Sequence, residues 1–257
     1  LDTWFSSSLW TMSTLGWPEN TTDLKYFYPT TIRETGYDIL FFWVAREIMM
    51  CLELSGKVPF KTVYLHGLIR DKRGRKFSKT KNIGSDPLPI MKQYGTDALR
   101  MALIYGNGAG NDIVLSIKKI KAMRNFANKI WNASRFILMK RELKVKSQKL
   151  KVKKLNKDDK KILKSLEKTT KTVTEHIEKY RFGQAAEEIY QFFWHEFCDQ
   201  HIEKVKNRRN EAQPTLMKVL KTSLILLHPF MPFITEEIWT NQLKEKIPLV
   251  ITKWPKI

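Results

Sequence analysis

Apolar and polar positions along the chain change rhythm near residue 116. Before it, short apolar runs bounded by Pro and Gly, at residues 1–9, 26–32 and 62–69, alternate with stretches of helical spacing at 37–54 and 88–105. Short runs between turn residues predict strands, and their alternation with helices predicts an α/β unit. From Ser116 onward Gly and Pro become rare, and Ile117, Ile120, Ala127, Ile130, Trp131 and Ser134 recur at three- and four-residue steps. That spacing lines one face of a helix and predicts a bundle, with further helices over 158–180, 182–206, 214–228 and, after a break at Pro229 and Pro232, 232–243. The expected fold class is α/β followed by all-α, with a first domain over 1–115 and a second over 116–257. Residues 140–161 carry eleven basic and three acidic side chains. Their Lys-Val-Lys alternation suits no helix core and predicts an exposed, partly disordered connection.

Composition sharpens this picture at the second domain. The chain has 257 residues, 42% hydrophobic, enough material for two cores. Lys and Arg number 46 against 26 Asp and Glu, a formal charge of +20, which makes a polyanion the leading class of partner because clustered cations release counterions from phosphates. Residues 1–110 hold 14 basic and 10 acidic side chains, leaving 32 and 16 beyond them. The polyanion is therefore expected mainly on the second half, although lysine-rich composition also arises from solubility or codon bias. Cys51 and Cys198 lie far apart within apolar helical patterns, which suits the cytosol and suggests neither a disulfide framework nor a thiolate metal site. The longest apolar run, 39–45, is too short to cross a bilayer, and no leader pattern opens the chain, so no membrane partner is expected. The chain opens at Leu1 inside an expected buried strand, which predicts that upstream polypeptide is removed or supplied separately.

The stretch richest in chemistry is VYLHGLIRDKRGRKFSKTKNIGSDP, residues 63–87, in which an apolar strand ends at His66-Gly67 and a charged loop presents Lys76, Phe77, Ser78, Lys79 and Thr80. Two lysines three apart suit a triphosphate: when ATP is attacked at its α-phosphorus, charge builds on the departing pyrophosphate, and ammonium groups aimed there stabilise the transition state preferentially. On charge alone, a solvated basic hairpin tip is the favoured reading, since such tips are common. His195, Cys198 and His201 are three apart, but that step drifts around a helix and no fourth ligand accompanies them, so they predict packing and no protein-bound metal. GNGAGND, residues 106–112, lies between helices, the wrong context for a dinucleotide fingerprint, and predicts a turn between domains.

Lys-Phe-Ser-Lys-Thr, preceded by His-Gly and followed by Asp-Pro, resembles the Lys-Met-Ser-Lys-Ser loop of class I aminoacyl-tRNA synthetases. LDTWFSSSLW, STLGWP, YPTTIRETGYDILFFWVAREIMM, YGTDALR, GNDI, RNFANKIWNASRF and LLHPFMPFITEEIW extend the resemblance almost end to end, specifically to the valyl-tRNA synthetase family. The resemblance implies the C-terminal half of a Rossmann-like nucleotide-binding catalytic domain followed by an α-helical anticodon-binding bundle. It implies ATP-dependent activation of valine, with Mg2+ accompanying ATP, and transfer of valine to valine tRNA. By the same resemblance Lys76 and Lys79 contact the ATP phosphates and Ser78 shapes their loop, while Gly36, Asp38, His66 and Gly67 lie at the adenylate. Trp4 and Trp43 match the tryptophans that wall the amino-acid pocket, where a branched aliphatic side chain profits from rigid apolar contact. Taken singly, each tryptophan would be ordinary core and Asp38 a helix N-cap. Lys118, Lys129, Arg135 and Phe136 match positions near the anticodon stem and loop, which calls for cations and an aromatic plane; apart from the resemblance, Phe136 packs in the bundle equally well.

There are departures. Phe77 stands for methionine and Thr80 for serine, and Asn82-Ile83-Gly84-Ser85 displaces the glycine that usually follows the loop. None of His66, His176, His195, His201 or His228 sits in the His-x-Gly-His element that the family needs. The expectation is that the N-terminal half of the same enzyme, and its editing domain, are missing, and that the isolated chain is inactive. A tRNA-binding module without catalysis and a basic scaffold without nucleic acid are the competing expectations.

Overall fold

The structure is a computed structural model that describes residues 2–71, 73–77, 86–139 and 155–256. The chain packs into two units, Leu1–Arg70 with Ala109–Ile113, and Asp71–Gly108 with Val114–Ile257.

The first unit is built on two parallel strands, β1 (Thr30–Gly36) and β2 (Phe60–His66), in register from Thr30 opposite Phe60 to Gly36 opposite His66. Parallel strands need a crossover. Here it is a 3-10 turn at Tyr37–Ile39, a π turn at Leu40–Ala45 and helix α4 (Arg46–Ser55), which ends on Gly56 at φ +68, the left-handed C-cap that glycine adopts without strain. Helices α1 (Thr3–Ser8), α2 (Trp10–Ser13) and α3 (Thr22–Phe27) precede the sheet, and short strand β3 (Ile69–Arg70) pairs with β4 (Ile113–Val114). Met12, Val44, Cys51 and Phe60 are buried, whereas Phe41 is 74% exposed and Phe42 62%. The apolar runs at 1–9 and 26–32 correct two strand expectations. The first is helical because Asp2 caps it, accepting from the Trp4 N–H at 3.3 Å, with the Ser6 and Ser7 hydroxyls donating back to the carbonyls of Thr3 and Trp4 as they do on exposed helix faces. The second divides between α3 and β1 at Pro29, which has no N–H to continue either element.

The second unit is helical: α5 (Pro87–Tyr94), α6 (Thr96–Ile104), α7 (Ile117–Leu138), α8 (Lys157–Glu178), α9 (Phe182–Gln191), α10 (Glu203–Val205), α11 (Arg209–Leu227) and α12 (Pro232–Glu237). A π stretch at Phe192–Ile202 joins α9 to α10, and another at Ile238–Gln242 extends α12. Ile120, Phe126, Ile130, Phe193, Phe197, Leu216 and Leu220 fill one continuous core. Ser116 caps α7 through the Lys119 N–H at 3.2 Å, and Asn156 caps α8 through the Asp158 N–H at 3.1 Å. The expected helix over 88–105 is two helices, broken at Gly95 (φ +93). The helix expected to open at Pro214 opens at Arg209 instead, with Pro214 inside it. Of the 140–161 connection, 140–154 lies outside the described residues, and Lys157 to Lys161 are helical because Ile162, Leu166 and Val173 give α8 a buried stripe.

Two glycines bring this architecture close to the 106–112 turn. A Cβ on Gly67 would stand 1.7 Å from the Asn111 carbonyl oxygen, and one on Gly183 would stand 1.9 Å from that of Asn107. Each is a close approach that only glycine permits.

Candidate functional site

The first unit gathers Gly36, Asp38, His66 and Gly67 at one place, the C-terminal ends of β1 and β2. In parallel sheets that edge is where ligands bind, because the loops that follow the strands converge there. Asp38 Oδ1 lies 2.7 Å from where a Gly36 Cβ would be, so any side chain at 36 would displace the carboxylate. Both ring nitrogens of His66 face oxygen acceptors, Nδ1 the Gly67 carbonyl at 2.8 Å and Nε2 the Glu34 carboxylate at 3.1 Å. Beyond His66 the backbone is held by Asp112, which accepts from the Leu68 N–H at 2.8 Å, the Tyr37 hydroxyl at 3.2 Å and the Arg70 guanidinium. The Leu68 N–H and then Arg70 hold the Asp112 carboxyl below the usual carboxylate range.

Trp4 and Trp43 are both partly exposed, at 41% and 37%. Each carries an arginine on its ring, Arg46 at 4.8 Å from the Trp4 centroid and Arg33 at 4.6 Å from that of Trp43. Arg33 Nε also donates to Glu47 Oε2 at 2.8 Å, and Glu47 is wholly buried. Burial pushes the Glu47 carboxyl up, against the opposing pull of Arg33. The sequence-based expectation missed Arg33, Arg46, Glu47 and Asp112. A charged residue at 47 within an apolar helical stretch, four positions after Trp43, was the available clue.

Lys76 belongs to the other unit, and Ser78 and Lys79 lie outside the described residues. On α7, Lys118, Lys129 and Phe136 fall within about 40° of one another around the helix, and Arg135 lies about 100° from Phe136. Lys118 and Arg135 are exposed. Lys129 is half-buried, bound to Asp199 Oδ1 at 2.8 Å and lying over the Trp194 ring at 5.6 Å. Phe136 is half-buried against the core, with the Arg209 guanidinium 4.7 Å from its centroid. Cys198 and His201 are buried, whereas His195 is exposed beside Asp199 at 3.3 Å. Among the described residues no group of three or more His, Cys, Asp or Glu side chains is placed to hold a metal ion, and no helix is long and apolar enough to cross a membrane.

Residues 1–116 match the family model for tRNA synthetases class I (I, L, M and V), and residues 159–257 match that for the anticodon-binding domain of tRNA ligase. The valine–tRNA ligase of Symbiobacterium thermophilum is 51% identical over 97% of this chain and 28% of its own length, and that of Fervidobacterium nodosum 50% identical over 100% and 30%. The chain thus spans under a third of the curated relatives it matches. Among solved structures, the ternary complex of Agrobacterium radiobacter K84 LeuRS with tRNA and LeuAMS superposes at TM-score 0.82 with 20% identity, over 100% of this chain and 33% of that one. The methionyl-tRNA synthetase of Mycobacterium tuberculosis with methionyl-adenylate gives 0.75 with 20% identity, over 91% and 48%. These likenesses establish the fold, a Rossmann-like α/β region followed by an α-helical anticodon-binding bundle.

Proposed function

The chain is a stretch of the valine–tRNA ligase family of class I synthetases, covering part of the catalytic domain and the anticodon-binding domain, and from that premise we propose that it supplies one wall of a valyl-adenylate site and a tRNA-gripping bundle. The observation that carries this is collinear similarity, at about half identity, to valine–tRNA ligases through both units. In the proposed reaction the valine carboxylate attacks the α-phosphorus of Mg2+-bound ATP, an oxygen–phosphorus bond forms, and pyrophosphate leaves. A hydroxyl of the terminal tRNA ribose then attacks the valyl carbonyl, and AMP leaves.

In this scheme residues 1–115 contribute Gly36 and Asp38 to the ribose and His66 and Gly67 to the adenylate. They also contribute Trp4 and Trp43 to the valine pocket, with Lys76 and Lys79 acting on the phosphates and Ser78 shaping their loop. Residues 116–257 contribute Lys118, Lys129, Arg135 and Phe136 to the anticodon arm. A His-x-Gly-His element from the remainder of the enzyme completes the ATP site, and the exposure of Phe41 and Phe42 fits a surface that further polypeptide covers. The cytosol is the proposed compartment, with free Cys51 and Cys198 in support.

Valine-dependent exchange of pyrophosphate into ATP tests the scheme on the 257-residue chain and on the same chain joined to the rest of its polypeptide. Background rates from the first and exchange from the second are expected. Exchange by the chain alone would overturn the division of the ATP site, and none by the longer protein would overturn the function. The basic surplus of the second half favours one alternative, a tRNA-binding module that acts without catalysis.

A further inference from the structure

The second unit carries an open groove of about 530 Å³ between α8, α11 and the C-terminal segment. Trp254 fixes that segment, its indole N–H donating to Thr174 Oγ1 of α8 at 2.8 Å. Four lysines line the groove: Lys160 and Lys164 on α8, Lys218 on α11, and Lys256. All four are exposed, and none has an ion-pair partner among the described residues. Glu167 is the one carboxylate among the described lining residues. By contrast, Lys129 on α7 is already neutralised by Asp199.

Four ammonium groups around one concavity, against the single Glu167 carboxylate, hold a positive potential, so an anion that enters relieves their repulsion and releases its own counterions. We propose that this groove is a phosphate-backbone contact for RNA, formed by residues other than those of α7. Two features favour RNA over an acidic peptide. Lys160 and Lys164 rise about 6 Å along α8, so they form a row that follows a linear chain of charges. The same unit carries the anticodon-binding match, and the identity of the nucleic acid as tRNA rests on the function proposed above.

The test measures binding of labelled valine tRNA and of a non-cognate tRNA to the full chain across a salt series. Lys160→Gln/Lys164→Gln/Lys218→Gln is compared with Lys118→Gln/Arg135→Gln, and thermal melts verify that both variants are folded. The groove variant is expected to bind both tRNAs about tenfold or more weakly at low salt, with a salt dependence shallower by about two to three charges. If it binds like the parent while the α7 variant is impaired, the groove proposal falls and the RNA-binding function stands. If neither variant changes tRNA binding, both fall. Unaltered tRNA binding, together with loss of binding to a polyglutamate probe, would reassign the groove to acidic peptides and overturn the proposal.

Discussion

Arg33 and Glu47 form an ion pair, Nε to Oε2 at 2.8 Å, with Glu47 wholly buried and the Arg33 guanidinium lying over the ring of Trp43. One atom on each side, Arg33 Nη2 and Glu47 Oε1, is buried without a hydrogen-bond partner. The pair is therefore incompletely satisfied, and its members depend on each other. Glu47→Ala strands the guanidinium, and a loss of about 3–5 kcal/mol in unfolding free energy is expected. Arg33→Met/Glu47→Met removes both charges and is expected to cost much less. Urea denaturation of the two variants decides; equal losses would show that the ionic coupling is unimportant.

Asp112 gives the first unit an acid-sensitive clamp. Its folded pKa is depressed, so the folded state binds its proton less readily than the unfolded chain does. The stabilisation is fully present above the ordinary carboxylate value of about 4 and is lost as pH falls through the lower folded value. Thermal melts from neutral pH into that acid range are expected to show a steeper decline in the parent than in Asp112→Asn. Parallel curves would assign the acid sensitivity elsewhere.

Asp97 on α6 accepts from the N–H groups of Phe233 and Ile234, at 3.3 and 2.7 Å, and so caps α12 from 136 and 137 residues away. Asp97→Ala leaves two donors at the start of α12 without their acceptor. A loss of about 1–3 kcal/mol is expected in denaturant titration. Asp97→Asn retains an acceptor oxygen and should fall between the variant and the parent.

Neither cysteine is available for chemistry in the folded state. Burial pushes the Cys198 thiol up to about 12 and raises that of Cys51, so both remain protonated at neutral pH. A thiol-specific disulfide reagent is expected to titrate no fast-reacting thiol in the native protein and two after denaturation. A fast native reaction would mean that one of these sites opens readily.

Local rules made part of this molecule legible from sequence. The run from Ile117 onward predicted α7 from its apolar spacing, and the Ser116 cap that the structure adds agrees with that start. His66 and Gly67 stood out at a strand end, Gly36 and Asp38 came from the family resemblance alone, and the parallel register sets Gly36 opposite His66. Residues 1–9 misled because LDTWFSSSLW has short apolar runs like a strand, while the capping by Asp2 that starts the helix is a side-chain effect outside the apolar pattern. Pro214 misled for a related reason. It lies at the sixth position of α11, where the missing N–H removes a single early bond that packing of Ala212, Thr215 and Leu216 compensates. Arg33 with Glu47, Lys129 with Asp199, and Asp97 with α12 are pairings across the fold, which spacing along one segment does not encode.

The close approaches at Gly67 and Gly183 also constrain how such sequences can drift. The seven residues 106–112 present one peptide oxygen, at Asn107, to Gly183, and another, at Asn111, to Gly67. A methyl group at either glycine would have to displace main chain, so a mutation at 67 or 183 demands a compensating change in the shape of one short turn distant from it in sequence. Each glycine is thereby tied to its own carbonyl, Gly67 to that of Asn111 within the first unit and Gly183 to that of Asn107 within the second.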